Sequence, residues 1–466
     1  MTHSKSSPGD IVFWGTFYYN AKDSYQKEKS QKMLKRFSKY ICQSVAAMIG
    51  QSVYILADTF FISFNSGANG LAALNLILPV FGIMFAIGSM IGIGSATRYG
   101  ISKAKGEDAD HYFTQSISWS LVCSVPFILI GILTPDKFLA LLGADAGLVE
   151  LGKTYLRIVL IFAPFFMCNY SVTAFARNDN ATSTVMAGSL TGSAFNIVFD
   201  YIFMFPMGLG FSGAALATAF CPVVTMLVCS THYLSKKCNI GFKWKRLSLR
   251  HLISCCQLGV SAFVGEISSA VITFIFNMLI LGLTGSTGVA AYGVVANMSL
   301  VGMAIMNGMS QGAQPLISES FGKGAADDVK KLLSWALKSV VAVEIILVAL
   351  VWIFTDPFIA VFNSENNKLL LEYAHTGLRL YFLGFLFAGV NIMLVAYFSA
   401  TANARPAIIG SLLRGAVAIG ACAIVLSMIW GMNGVWLSFL TSEIITFAVL
   451  LILGRNKESR KMNEYV

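Results

Sequence analysis

The sequence predicts an all-α polytopic membrane protein with twelve transmembrane helices in two six-helix lobes. Hydrophobic residues make up 56% of the 466-residue chain and charged residues only 12%, whereas soluble domains carry about 25% charged residues. Many windows exceed the roughly 18 apolar residues that indicate a spanning helix. The second half of the chain also repeats features of the first. An alternating β-barrel pattern is absent, so helices are the spanning elements.

Twelve apolar segments of spanning length follow one another along the chain. They are residues 40–64, 71–97, 113–133, 151–175, 183–206, 213–234, 252–282, 289–318, 332–354, 376–400, 406–430 and 434–453. We expect an N-terminal lobe over 40–234, a basic cytoplasmic linker over 235–251 and a C-terminal lobe over 252–453. Residues 1–39 form a polar and basic tail, which could be an over-long gene start before Met33, and 454–466 form a second tail.

The distribution of charge predicts topology. Basic residues collect between every second pair of spans and before the first span, which by the positive-inside rule places both termini in the cytoplasm. The net charge of +10 therefore reflects orientation in a plasma or inner membrane and contact with lipids, and no nucleic-acid partner is expected. The nine cysteines are scattered without a CxxC motif, so we expect no disulfide framework.

An internal repeat relates the two halves. When Arg157 is aligned with Arg379, Asn169 falls on Asn391. A similar alignment places Gly70 on Gly288. Because each half has an even number of spans, both halves start on the same side of the membrane. They should then be related by a pseudo-two-fold axis along the membrane normal, with substrate bound near the midplane between the lobes.

The fifth and sixth spans carry the most informative polar residues. Asn196 and Asp200 lie four residues apart and so share one helix face. Gly208 and Gly210 predict a tight turn into the next span, which would pack antiparallel and bring Thr218 toward the acid. An acid inside a span should face the protein interior or a water-filled cavity. The alternative is that Asp200 lies near a helix end and reaches interfacial water.

The repeat does not preserve these polar residues. Asp58, in the first span, aligns with Phe276, and Asp200 aligns with Cys422. A structural requirement shared by both lobes would appear in both. The asymmetry instead predicts one coupling-ion site, for protons or sodium, in the first lobe, at which Na⁺ would use Asp58, Asn196, Asp200 and Thr218. We expect no resident metal or other cofactor.

Several motifs resemble one transporter family, multidrug and toxic compound extrusion (MATE), in its bacterial branch. They are Tyr54-Ile-Leu-Ala-Asp58, Gly70-Leu-Ala-Ala-Leu-Asn, Phe175-Ala-Arg177-Asn178-Asp179, Asn196-Ile-Val-Phe-Asp200, Gly213-Ala-Ala-Leu-Ala-Thr218, Val289-Ala-Ala-Tyr292-Gly, Gln311-Gly-Ala-Gln314-Pro315 and Phe362-Asn-Ser-Glu365. The resemblance implies twelve helices in two bundles, alternating access, and cation-driven export of amphipathic drugs. It also implies that the coupling cation is bound by Asp58, Asn196, Asp200 and Thr218.

Two features depart from the family pattern. Relatives often have a proline early in the first span, where this chain reads Ile41-Cys-Gln43-Ser, so bending of the first helix is in question. Another branch has an acid in the tenth span, and 382–400 contains none. A second-lobe cation site then rests on Glu266 alone. The alternatives are that Glu266 binds a cationic substrate, pairs with a polar neighbour, or lies near the cytoplasmic end without a functional role. Further candidates, with their expected roles, are Asn169 and Asn391 (substrate binding), Glu443 and Glu344 (less favoured acids), and Arg157 and Arg379 (structural anchors).

Enzyme motifs fail on their context. Gly208-x-Gly210-x-x-Gly213 matches a dinucleotide fingerprint, but it lies between apolar spans and lacks the acid about 20 residues later. The histidines form no HExxH, and no P-loop occurs. We therefore expect a secondary active transporter: an antiporter of small organic cations that acts as a monomer. The alternative is a lipid-linked glycan flippase of related fold.

Overall fold

The computed structural model describes residues 8–362 and 367–463, and the described backbone is helical with no β-strand. Twelve long helices, α1 to α12, follow the chain. Their bounds are Lys27–Gly67, Asn69–Ala104, Tyr112–Leu133, Ala146–Asn178, Thr182–Met204, Phe211–Tyr233, Leu249–Gly285, Thr287–Gly322, Ala326–Ile353, Lys368–Ala400, Ala404–Trp430 and Met432–Asn463. Two short helices, Pro135–Leu141 and Thr355–Phe362, precede α4 and α10. The prediction of an all-α membrane protein is confirmed.

Within the described ranges, nine helices are long and apolar enough to cross a membrane, and two broken helices raise the number to eleven. The broken helices are α4, bent by 43° between Ile161 and Ala163, and α10, bent by 44° between Phe382 and Phe385. The remaining helix, α5, has 23 residues and includes Asn196 and Asp200. Its polar residues lower its hydropathy, although its length suits a span.

Breaks in the helices occur at positions that correspond between the two halves of the internal repeat. Gly67, between α1 and α2, has φ 59° and ψ −150°, and Gly285, between α7 and α8, has φ 69° and ψ −160°. Only glycine adopts such a conformation readily. The bends in α4 and α10 also correspond. The internal repeat therefore extends to local backbone geometry.

The first helix begins earlier than the predicted span. Residues expected as a polar tail are helical, because the helix that contains α1 starts at Pro8. Its basic part contacts the second lobe: Lys29 Nζ lies 2.9 Å from Asp328 Oδ2, and Arg36 Nη2 lies 2.7 Å from Glu319 Oε2. The start of α1 thus contacts the end of α8 and the start of α9, beside the loop that joins these two helices.

Each lobe has its own apolar core. In the first lobe, Tyr155 and Phe211 stack with ring centroids 4.5 Å apart among buried residues of α2, α4 and α6. In the second lobe, Tyr381 and Phe439 stack at 4.4 Å beside Trp436, which is fully buried. The two stacked pairs therefore lie in separate apolar cores, one in each lobe.

The lobes meet closely at the side of the membrane where α1 and α7 begin and α2 and α8 end. Gly259 of α7 packs so tightly that a Cβ atom there would clash with the backbone oxygen of Met90. Arg98 Nη2 donates to the carbonyl of Ser254 at 3.0 Å, and Gln314 Nε2 donates to Thr97 Oγ1 at 3.0 Å. This side carries the basic loops, so the lobes are in contact at the predicted cytoplasmic side.

The close approach at Gly259 predicts the effect of a substitution. Gly259→Ala should push α7 away from α2 and destabilise this closed arrangement by about 1–3 kcal/mol, as overpacking does. Thermal unfolding of the detergent-purified protein and dye export from cells at matched expression both measure this effect. Gly265→Ala is the control, since a Cβ atom at that position in α7 meets nothing within 4 Å. Equal stability and export of the two variants would contradict the prediction.

Candidate functional site

Four predicted site residues meet in the first lobe. Asp58 comes from α1, Asn196 and Asp200 from α5, and Thr218 from α6. Asn196 and Asp200 are completely buried, and Asp58 and Thr218 are each 8% exposed. The structure therefore brings together residues that are up to 160 positions apart in the chain. The full burial of Asp200 argues against the alternative in which its carboxyl group reaches interfacial water.

Glycines allow α5 and α6 to pack closely. The turn between them contains Gly208 at φ 66° and Gly210 at φ 53°, a region that favours glycine. A Cβ atom at Gly213 would lie 2.8 Å from the backbone of Phe203, and one at Gly192 would clash with Thr225 Oγ1. Such small residues let transmembrane backbones approach, and this approach places α6 directly against the polar face of α5.

Asn196 connects the hydroxyl and carboxyl groups of the cluster. Its amide satisfies both neighbours when Nδ2 donates to Asp200 Oδ2 and Oδ1 accepts from Thr218 Oγ1, each at 3.2 Å. The carboxyl groups of Asp58 and Asp200 are close enough to share a hydrogen bond when one of them carries a proton. One α1 acid and one α5 acid thus form a pair.

The cluster contains polar atoms that are not satisfied by the described protein. Asp58 Oδ1, Asp200 Oδ1 and the Tyr155 hydroxyl are buried without a hydrogen-bond partner among the described residues. Unpaired buried polar atoms are costly, and two adjacent carboxylates repel each other unless a proton or a cation lies between them. The arrangement is therefore suited to bind H⁺ or a small hard cation.

Sequence reasoning missed two tyrosines at this cluster. Tyr155 is completely buried in α4, and its hydroxyl lies near Thr218 and within electrostatic range of both acids. Tyr54 lies one turn before Asp58 in α1, near both acids and also near Glu266. The available signal was a tyrosine hydroxyl group inside an apolar span, because buried tyrosine hydroxyls usually lie beside a polar group.

Glu266 of α7 lies where the two lobes face each other. The Tyr170 hydroxyl of α4 donates to Glu266 Oε1 at 3.4 Å, which joins the lobes within the membrane. Glu266 is half-buried. Beside Tyr170, Asn169 is also half-buried, with its amide oxygen unpartnered among the described residues. Glu266 and Asn169 thus border the same region between the lobes.

The other predicted substrate residue, Asn391, lies inside the second lobe. It is completely buried, and its Nδ2 donates to the carbonyl oxygen of Glu443 at 2.8 Å and to Glu443 Oε2 at 2.7 Å. Arg414 Nη2 donates to Glu443 Oε1 at 2.9 Å. Asn391 and Glu443 are therefore engaged with each other inside the second lobe.

The remaining predicted residues differ in their exposure. Arg157 and Arg379, expected as structural anchors, are exposed. Glu344, one of the less favoured acids, is fully buried in the second lobe, as is Glu443. Residues 363–365 of the Phe362-Asn-Ser-Glu365 motif lie outside the described residues, as do the side chains of the basic C-terminal tail from residue 456 onward.

Comparisons with known proteins agree with this architecture. The family model described as MatE matches residues 44–202 and again residues 262–426, once in each lobe. The multidrug export protein MepA of Staphylococcus saprophyticus is 28% identical over 426 residues, covering 88% of this chain and 92% of that protein. MepA of Staphylococcus aureus is 26% identical over 425 residues, with the same coverage.

The fold also matches solved structures. One described as the outward-facing conformation of a multidrug resistance MATE family transporter superimposes with a TM-score of 0.84 at 23% identity, covering 91% of this chain and 96% of the other. This likeness confirms twelve transmembrane helices in two lobes. Because the family model matches both lobes and the relatives align over most of the chain, the protein belongs to the MatE family of multidrug and toxic compound extrusion transporters.

Proposed function

We propose that this protein is a secondary active antiporter that exports amphipathic, mostly cationic compounds in exchange for protons or sodium ions. The observation that carries the proposal is the buried Asp58–Asp200 pair with its unpartnered oxygens. Membership of an efflux family supports export. The proposal includes a monomer in the cell membrane, surrounded by lipid, with both termini in the cytoplasm.

The first-lobe cluster offers ligands for either coupling ion. A proton on one carboxyl group would be shared by Asp58 and Asp200 and would remove the repulsion between them. A sodium ion would instead take oxygen ligands, for which Asp58, Asp200 and Thr218 supply two carboxylates and a hydroxyl. Asn196 would complete either arrangement through its amide. The cluster therefore fits the chemistry of both ions, and an experiment must separate them.

The substrate would bind between the lobes, near Glu266 and Asn169. A half-buried carboxylate attracts a cation, and an aromatic ring such as Tyr170 offers a flat apolar surface with a negative face. The Phe85 ring lies beside that of Tyr170, with ring centroids 6.1 Å apart, and extends the aromatic surface. Flat organic cations are the ligands that such a surface binds best.

Helix α1 would connect ion binding to the opening of the lobes. Asp58 lies in its second half, and its first half packs against α8, where a Cβ atom at Gly312 would lie 2.8 Å from the Tyr40 carbonyl oxygen. A change of packing around Asp58 would therefore be transmitted along α1 to the contact between the lobes. Coupling of this kind between two sites is a reciprocal free energy.

Neutralising either acid tests the coupling site. Asp58→Asn and Asp200→Asn should each abolish gradient-driven dye efflux, because an amide neither exchanges a proton nor offers Na⁺ a charged oxygen ligand. Efflux from cells with matched amounts of protein is the measurement. Asp136→Asn, at an exposed acid of the short helix before α4, should retain activity. Wild-type efflux from either cluster variant would disprove the proposal.

The coupling ion can be identified by its effect on drug affinity. If protonation of the pair favours drug release, dye affinity in nanodiscs should weaken as the pH falls from about 8 to about 5, where a shared carboxyl proton would titrate. Asp200→Asn should weaken this dependence. A pH-independent affinity that weakens with added sodium would assign Na⁺ instead. An affinity that responds to neither ion would rule out coupling at this cluster.

The substrate role of Glu266 predicts a dependence on ligand charge. Glu266→Gln keeps the size of the side chain but removes its charge, so transport of cationic dyes should fall by about tenfold, which corresponds to roughly 1.4 kcal/mol. Transport of an uncharged dye of similar size should change little. Tyr170→Phe is the control that removes the contacting hydroxyl and retains the carboxylate. Equal losses for charged and uncharged dyes would show that Glu266 acts structurally.

A further inference from the structure

The second lobe contains a buried acid that the mechanism above does not use. Glu344 of α9 is completely buried. Its Oε1 accepts hydrogen bonds from the backbone N–H groups of Gly389 at 2.7 Å and Val390 at 3.1 Å. Its Oε2 is buried with no hydrogen-bond partner among the described residues. Ionisable groups inside membrane spans are costly and mark functional sites.

The contact between Glu344 and α10 depends on a glycine. A Cβ atom at Gly389 would lie 2.6 Å from Glu344 Oε1 and 2.5 Å from Met306 Sδ, so any larger residue would displace the carboxyl group. Gly389 lies near the start of the second segment of α10, which begins at Phe385 after the 44° bend. The carboxyl group thus holds α10 just beyond its bend.

Among the described residues, the nearby charges leave Glu344 without a cationic partner. Glu443 of α12 lies within electrostatic range, but its own oxygens are engaged by Arg414 of α11 and Asn391 of α10. From α8, Met306 contributes only an apolar surface at this point. The group therefore contains two acids and one guanidinium, which leaves one excess negative charge inside the lobe if both acids are ionised. Such an unpaired buried charge is strongly destabilising.

We propose that Glu344 is a proton-binding carboxyl group in the second lobe, distinct from the Asp58–Asp200 pair, and that its protonation is linked to the bend of α10. This inference rests on the proposed antiport, for which it names a second proton site. A proton from water would bind Oε2, the oxygen without a partner in the described structure, and would leave by the same route. An O–H bond of a hydronium ion breaks as the O–H bond to Oε2 forms, and water is released. Binding removes the excess charge and leaves the Arg414–Glu443 ion pair unchanged.

The proton would also change how strongly Glu344 holds α10. An ionised carboxylate accepts the Gly389 and Val390 hydrogen bonds more strongly than a neutral acid does. Protonation would therefore weaken the link between α9 and the segment of α10 beyond its bend. Asn391 ties the next position of α10 to Glu443. Three consecutive residues of α10 are thus held by two acids, and only the contacts to Glu344 would respond to the proton.

Infrared spectroscopy of the purified full-length protein in lipid bilayers tests the inference directly. Difference spectra between about pH 8 and pH 5, where buried carboxyl groups can titrate, should contain a carbonyl stretch from a protonated carboxylic acid. Glu344→Gln should lose one such band and keep the others. Asp58→Asn combined with Asp200→Asn should lose different bands and keep the Glu344 band. The loss of no band in Glu344→Gln would overturn the inference.

A second variant covers the case in which Glu344→Gln does not fold. Gly389→Ala keeps the acid but displaces it from the backbone of α10, so it should shift the frequency of the same band, whereas Gly293→Ala, with no atom within 4 Å of its Cβ position, should not. An unshifted band in Gly389→Ala would overturn the assignment. If instead the Asp58 and Asp200 variants kept full dye export while the Glu344 band behaved as expected, only the proposed function would fail.

Discussion

The need to bury two carboxyl groups inside a membrane protein determines much of the first lobe. Asp200 is completely buried in α5, so neighbouring helices must supply polar contacts that lipid cannot. Glycines bring α6 close enough for Thr218 to meet Asn196, and α1 brings Asp58 against Asp200. The packing of three helices therefore depends on satisfying one pair of acids.

The same constraint explains the role of α1. It is the helix that carries an acid of the pair and also contacts the second lobe, through Arg36 at its start and through the close approach of Tyr40 to Gly312. A local change at Asp58 does not need a chain of intermediate residues to reach the lobe contact, because one continuous helix spans both. Rigid elements with two arrangements are the physical carriers of coupling.

Much of this architecture could be predicted from the sequence because lipid imposes simple rules. Apolar windows identified the spans, and the spacing of Asn196 and Asp200 placed both on one face of α5. The breaks of α4 and α10 were missed, since an apolar run does not reveal a bend. Residues of the first tail proved helical, and Lys29 there contacts Asp328 of the other lobe, a contact between distant segments that no local pattern predicts.

The second-lobe acids show a further limit of periodicity. Arg414 lies in a short π-helical turn, Leu413–Val417, which adds a residue to the turn and rotates the following side chains relative to a regular helix. Its pairing with Glu443 therefore could not be inferred from α-helical spacing. Asn391 was predicted from its alignment with Asn169, but the two asparagines face different surroundings because the lobes differ in their buried charges.

The glycines that join the first two helices of each lobe bear on the origin of the protein. Gly67 and Gly285 adopt nearly the same unusual backbone conformation, whereas Asp58 aligns with Phe276. Duplication of a single ancestral six-helix unit would produce this result if the glycine connections between helices were retained and the buried side chains diverged. The two copies now differ in their buried charges, since the first lobe has a pair of facing acids and the second has an acid paired with arginine.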